Sequence, residues 1–312
     1  MRLLIDTDAG VDDAQAIMLA LAHPGVMVEA ITTVTGNVHV EQVNRNVFTV
    51  LDLLGADIPV YSGAEGPLLP GFWEPEVRVH GADGLGDYAP RLPVTRQVEA
   101  EHAALALVRL ADAAPGELTC VALGPLTNIA LACKLDPEFP LKLKALAFMG
   151  GTLAARGNTR YVTAEFNVNC DPEAALIVLA AFETATMLSW ETTWAHGFTW
   201  DAYDTLAAID TPAGYFFRTI TRAVTTYFRN TGLREFFLLP DPLAMAVTLQ
   251  PGLVLASEFR YVTVELQGQY TRGQTVIDYP DKLDRAPNTH LVTRVDTAGV
   301  YALFERMLCQ GR

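Results

Sequence analysis

Four carboxylates fall within eight residues near the start of the chain. They are Asp6, Asp8, Asp12 and Asp13 in the stretch Leu3-Leu4-Ile5-Asp6-Thr7-Asp8-Ala9-Gly10-Val11-Asp12-Asp13. Gathered together, such charges repel unless a cation joins them. Carboxylate oxygens with no Cys or His among them suit Ca²⁺, Mg²⁺ or Mn²⁺ better than zinc. A plainer use exists for Asp12 or Asp13, which could cap the first turn of a helix and complement its dipole. Capping does not account for all four.

The elements around the cluster place it. Leu3, Leu4 and Ile5 are continuously apolar, as in a strand buried on both faces. Gly10 suits a tight turn, and Ala14–Ala22 is apolar and rich in helix formers. The acidic residues therefore sit between a strand end and a helix start, where open α/β sheets bind ligands. The pattern then repeats. Val26–Thr35 reads as a strand ending at Gly36-Asn37, Val38–Leu54 as a helix, and Ile58–Tyr61 as a short strand. Helices are expected over His102–Ala113 and Asn128–Lys134, and strands over Leu118–Leu123, Ala145–Met149 and Thr186–Leu188. Asp171-Pro172 is an N-cap followed by proline at the first helical position, starting a helix to Ala181. Residues 201–229 read as mainly helical, Asp241-Pro242 starts a further helix, and Ala298–Leu308 is the last. Phe259–Leu266 alternates as an antiparallel strand would, with Thr275–Tyr279 as its partner.

This order predicts an α/β fold, doubly wound, with a mostly parallel central sheet and helices on both faces. No linker divides residues 1–312, so one domain is expected. Residues 62–98, rich in Gly, Pro and aromatics, and residues 226–240 are irregular segments expected to cover the site. Polar residues recur at the predicted strand ends, which in a parallel sheet share one edge.

Composition removes several classes. Half of the 312 residues are apolar, ample for a core, yet no run approaches the ~18 uncharged apolar residues of a membrane span. A net charge of −14 offers no basic surface for nucleic acid. Met1 leads straight into the first strand, which predicts no secretory signal and a cytoplasmic protein. Cys120, Cys133, Cys170 and Cys309 lack metal-type spacing and read as reduced thiols.

The acidic run Asp6–Asp13 resembles the N-terminal signature of the nucleoside hydrolases, the calcium-dependent nucleoside N-ribohydrolases of inosine-uridine preferring type. The resemblance continues in Thr32–Asn37, in Ala122–Ala130, in Met149-Gly150-Gly151, in Ala164–Asn167 with Asp171–Ala175, and in Asp241-Pro242. Six motifs in the family's order make it specific, and it spans most of the chain.

The resemblance implies hydrolysis of the N-glycosidic bond of ribonucleosides to free base and ribose. It implies that Asp8, Asp13, Asp241 and the backbone carbonyl of Leu123 bind Ca²⁺, and that Asp8 is the general base taking the proton of a Ca²⁺-held water. Asp12, Asn37, Met149, Asn158, Glu165 and Asn167 match ribose-holding positions, although the Asn158–Glu165 spacing is one residue longer than the family's. Asp6 is expected to support the metal ligands from behind. A homodimer or homotetramer is also implied, with a ribonucleoside as the partner molecule.

Two departures stand out. Pro240 occupies a position commonly His, or Trp in purine-specific members, and can neither donate a proton nor stack as a wide ring. His80, Trp73, Arg234, Phe236 and Phe237 are the candidates to face the base instead. Ala9 replaces a usual proline and is expected to loosen the turn slightly. Pro240 also keeps open a catalytically impaired Ca²⁺-dependent nucleoside- or sugar-binding protein. A phosphohydrolase with Asp6 as nucleophile in an Asp-x-Asp motif is the other alternative. His196 is a minor candidate for the pocket; Trp190, Trp194 and Trp200 read as core or interface, and Cys170 as a buried thiol.

Overall fold

A computed structural model describes residues 1–70, 77–91 and 95–310. Eight strands form the main sheet. In sequence they are β1 (Arg2–Thr7), β2 (Met27–Thr33), β3 (Val60–Ser62), β4 (Leu118–Ala122), β5 (Ala145–Met149), β6 (Ala185–Leu188), β9 (Val254–Arg260) and β12 (Thr289–Val295). Their spatial order is β3-β2-β1-β4-β5-β6-β12-β9, parallel throughout except for the last pair. The chain winds outward from β1 to β3 on one side and from β4 onward on the other. The direction of winding therefore switches between β1 and β4, and a crevice opens there at the strands' carboxyl ends.

Helices cover both faces. They are α1 (Val11–Ala22), α2 (Val40–Leu54), α3 (Val77–His80), α4 (Ala103–Ala113), α5 (Thr127–Leu135), α6 (Phe139–Lys142), α7 (Phe166–Cys170), α8 (Pro172–Ala181), α9 (Trp190–Ala195), α10 (Trp200–Ala207), α11 (Pro212–Thr231), α12 (Pro240–Leu249) and α13 (Thr297–Cys309). Two apolar cores result, one on each side of the sheet. Leu3 and Ile5 of β1 face one, with α1, α2, α11, α12 and α13; Leu4 faces the other, with α4, α5 and α8. A strand buried on both faces is what the unbroken Leu3-Leu4-Ile5 run required.

The expected antiparallel strand over Phe259–Leu266 is divided. Val254–Arg260 joins the main sheet beside β12, whereas β10 (Val262–Val264) pairs with β11 (Thr275–Ile277) in a separate hairpin. Strand β12 itself is absent from the sequence reading, its alternation masked by Thr289, His290, Thr293 and Arg294. The connection after α11 contains β8 (Phe236–Phe237), paired with β7 (Phe198–Thr199). Among the described residues no helix is long and apolar enough to cross a membrane.

One buried side chain ties the layers beneath the crevice. Asn128 of α5 donates through Nδ2 to Asp6 Oδ1 and to the Thr33 carbonyl, both at 2.8 Å, and its Oδ1 accepts from Ala64 N at 2.9 Å. It thereby joins β1, β2 and the segment after β3. Removing it leaves two buried backbone groups without that partner, each worth about 1–3 kcal/mol. Asn128→Ala is expected to lower unfolding stability by about 2–3 kcal/mol in urea denaturation of the chelator-treated protein. A loss below about 0.5 kcal/mol would refute the linking role.

Candidate active site

The turn between β1 and α1 is built by its own polar groups. Asp13 Oδ1 accepts from Thr7 Oγ1 at 2.5 Å, and Oδ2 accepts from Gly10 N at 2.8 Å and Asn37 Nδ2 at 3.3 Å. Asp13 is thus a helix cap as well as an acidic ligand candidate; the two readings coincide. Asp8 Oδ2 accepts from Asn37 N at 2.7 Å. A Cβ on Gly36 would stand 2.1 Å from that oxygen, so the backbone of the β2 edge can approach Asp8 only as glycine.

Ala9 does more than loosen this turn. Its φ of +28° is left-handed, a value that proline's ring forbids. Its N–H donates to Thr7 Oγ1 at 3.1 Å, a bond proline could not make, and its carbonyl accepts from Asn46 Nδ2 at 2.8 Å. The turn is rebuilt and tied rather than relaxed.

Asp241 arrives from the other half of the chain. It lies in the first turn of α12, which packs along α1, so two helix N-termini point at the same place. Ligand oxygens of Asp12, Asp13 and Asp241 all lie within 4.8 Å of one another. Asp8 is close enough to them for the charges of Asp13 and Asp12 to act on it. Burial, reinforced by the charges of their neighbours, pushes Asp8 and Asp241 well above the usual carboxylate range. Burial and the charge of Asp12 raise Asp13, and burial lifts Asp12 to about 6. Asp8 Oδ1 and Asp12 Oδ1 are buried without a hydrogen-bond partner. Orphaned, mutually repelling oxygens are a donor set that fits a hard divalent cation.

Asp6 lies below this group. It is fully buried, and Oδ1 accepts from Thr32 Oγ1 and Asn128 Nδ2. Burial raises it to about 7. Its Oδ2 is buried without a hydrogen-bond partner, and Asp6 is not among the residues that line the cavity.

Above the carboxylates is an open cavity of about 990 Å³, mouth included. Its lining includes Asp12, Asn37, Leu123, Met149, Asn158, Glu165, Asn167 and Asp241. Asp8 and Asp13 are packed against this wall from behind. Asn167 Nδ2 donates to the Leu123 carbonyl at 2.7 Å and to the Met149 carbonyl at 3.1 Å, fixing both strand ends. Glu165 is the N-cap of α7, its two oxygens accepting from the backbone N–H of Asn167, Gly151 and Val168. Burial pushes it up from 4.5 to about 7 against those three donors. Asn158 is set in a loop held by Glu191, whose carboxylate accepts from Leu153 N, Ala154 N and Arg156 N at 2.7–3.2 Å. Nothing in the local sequence marks Glu191 for that task.

Aromatic residues supply much of the remaining lining: Trp190, Trp200, Phe228, Phe236 and Phe237, with Arg234 and Pro240, while His80 stands beside Asp12. The Arg234 guanidinium carbon stands 3.8 Å from the Phe228 ring centroid, 5.4 Å from Trp194 and 5.6 Å from Trp190. Trp190 and Trp200 pack against the core as expected and also contribute to the cavity wall. His80 Nδ1 accepts from Val11 N at 3.1 Å, so that nitrogen carries no proton and its 3.6 Å approach to Asp12 is not an ion pair. His196 is outside the cavity, bonded to the Thr192 carbonyl and Val295 N. Cys170 is buried and its thiol raised far above its ordinary value, as expected of an inert residue. Trp73 lies outside the described residues.

Acidic oxygens and aromatic rings lining one cavity, at the switch point of a doubly wound sheet, define an enzyme site. It suits a polar molecule with an aromatic part, handled with a divalent cation. Residues 3–302 match the family described as inosine-uridine preferring nucleoside hydrolase, and the chain belongs to that family of metal-dependent enzymes acting on N-glycosyl bonds. It is 34% identical over 299 residues to the non-specific ribonucleoside hydrolase RihC of Salmonella newport (strain SL254), covering 96% of this chain and 94% of that one. Among solved structures it is similar to an inosine-guanosine nucleoside hydrolase (IG-NH), with 36% identity, TM-score 0.90 and 98% of each chain covered. A purine-preferring ribonucleoside hydrolase from Gardnerella vaginalis aligns with 30% identity and TM-score 0.90, over 99% of this chain and 98% of that one.

The raised carboxylates set a pH dependence. Glu165 ionises near 4.5 when unfolded and near 7 when folded, so the unfolded state loses its proton first and stability falls as pH rises between those values. A bound cation requires the aspartates ionised and opposes the trend. In chelator, thermal stability is expected to fall from about pH 4.5 to about pH 7. The Tm gain on adding Ca²⁺ should be small at pH 5 and large at pH 7.5; a gain independent of pH would contradict the assignment.

Proposed function

We propose that the protein hydrolyses the N-glycosidic bond of ribonucleosides, releasing the base and ribose, with Ca²⁺ as its metal. Asp8, Asp13, Asp241 and the Leu123 carbonyl would hold the ion, and Asp12 has an oxygen close enough to join them. When bound, the cation supplies a positive centre that orders ribose hydroxyls and makes water easier to deprotonate. The single observation carrying this reading is the set of orphaned buried oxygens of Asp8 and Asp12 beside a polar cavity wall.

The chain's own groups divide the work. Asp8 is the general base: its unpartnered Oδ1 can accept the proton of the attacking water, while Asn37 N–H holds Oδ2. Asp12, Asn37, Asn158, Glu165 and Asn167 offer acceptors and amide donors to the ribose hydroxyls. Asn167, already holding the Leu123 and Met149 carbonyls, sets the spacing between metal and sugar. Met149 packs beneath the sugar ring. Positive character grows at C1′ as the bond loosens, and the carboxylates around it favour that charge.

The base departs toward the aromatic lining. Pro240 offers no proton there. Of the remaining candidates, His80 and Arg234 carry N–H groups; Arg234 stays charged and can stabilise negative charge on the leaving base rather than protonate it. Phe236 and Phe237 supply apolar wall. Membership of the family also supports a homodimer or homotetramer.

Incubation with a panel of ribonucleosides and Ca²⁺ is expected to release reducing ribose, with EDTA abolishing it. Asp8→Asn should lower kcat by about 10²–10⁴-fold while the protein still gains Tm with Ca²⁺. Nucleoside binding without ribose release from any member of the panel would favour an impaired binding protein instead.

A further inference from the structure

Gln15 is a polar residue that neither the sugar contacts nor the metal site employs. It lies on α1, three residues after Asp12 and four after Val11, so all three share one helix face and line the same cavity. The side chain is 1% exposed. One N–H of its Nε2 donates to the Val11 carbonyl at 2.9 Å, which fixes which end of the amide is oxygen. Oε1 is buried and has no hydrogen-bond partner. A buried carbonyl left unsatisfied costs about 1–3 kcal/mol.

Val11, Val79, Val224 and Phe228 line the cavity with it and have no group to offer that oxygen, and the Thr225 hydroxyl is spent on the carbonyls of Thr221 and Arg222. Gln15 stands three residues along α1 from Asp12, a rise of about 4.5 Å. That step is comparable to the distance from a ribose ring to the far edge of its base. A carboxamide also carries a second N–H on Nε2, next to the free acceptor. Acceptor and donor side by side match a lactam edge, N–H beside C=O.

We propose that Gln15 reads the base: its Oε1 accepts an N–H from the lactam edge of a 6-oxopurine or uracil ring. The assignment rests on the nucleoside hydrolase reading and adds to it the atom that selects the base. Gln15 acts in specificity and takes no part in bond cleavage.

N-methylated substrates test this. Kinetics on inosine and 1-methylinosine, and on uridine and 3-methyluridine, compare bases with and without the N–H. The intact enzyme should favour each parent by about 10²-fold or more in kcat/KM. Gln15→Met, similar in length and apolar, should lower kcat/KM on the parents by about 10–100-fold. It should bring each parent/methyl ratio to within about threefold of unity, with the Ca²⁺-dependent Tm gain unchanged. A ratio that survives in Gln15→Met means the methyl group is rejected by shape, and overturns the proposal. So does an intact enzyme that hydrolyses parent and methylated substrates equally, an outcome that leaves the hydrolase reading standing. If no nucleoside is cleaved, that reading fails by itself. Calorimetric binding of hypoxanthine against 1-methylhypoxanthine then decides Gln15 by the same ratio.

Discussion

The structure depends on keeping like charges buried together at the end of β1. Asp12 and Asp13 raise the proton affinity of Asp8, Asp12 raises that of Asp13, and all three raise that of Asp241, each beside burial that pushes the same way. Such a cluster is costly to build. The fold meets part of that cost with backbone N–H groups of Gly10 and Asn37, the Thr7 hydroxyl and the N-termini of α1 and α12. What those donors leave unsatisfied is what a cation can use. The cost of building the cluster and its fit to a cation therefore have one origin.

Most of the frame around this cluster is legible in the sequence, for a definite reason. Strands buried on both faces must be continuously apolar, so β1, β4 and β5 read off Leu3–Ile5, Leu118–Leu123 and Ala145–Met149. Helix starts with a side-chain cap and a following proline, as at Asp171-Pro172, are equally direct; Asp171 Oδ1 does accept from Ala174 N. The outer strands are less visible. Val254–Arg260 lies at the sheet's edge, largely exposed, and β12 carries polar residues at several positions. With one face uncovered, hydrophobic continuity no longer marks the strand.

Within the site the same division holds. Residues close in sequence to glycine turns at strand ends, such as Asn37 and Leu123, are foreseeable because the topology brings those ends together; Asn167, inside α7, is reached only through the family resemblance. Trp190, Trp200 and Phe228 are not foreseeable. Their apolar patterns are those of any packed helix, and only tertiary packing decides whether a face meets the core or a cavity. Glu191 carries no local signal either, since its three backbone partners lie more than thirty residues away.

Pro240 links these two observations. As the first residue of α12 it has no N–H to waste and its φ is already helical, so it starts the helix that delivers Asp241. That favours the metal end and removes any proton donor or ring from the base end at the same position. On the proposed reading the base must then be recognised by side chains from other elements, and α1, α3, α9, α10, α11 and the connection before α12 all contribute to the cavity lining. On that reading, sugar and metal contacts come from strand ends and from the first turns of α1, α7 and α12, which the carboxylates and Asn167 tie to those ends. The base contacts sit on helices and a connecting segment, whose residues can change without disturbing the carboxylates. A fold divided in this way can keep one reaction and alter which base it accepts.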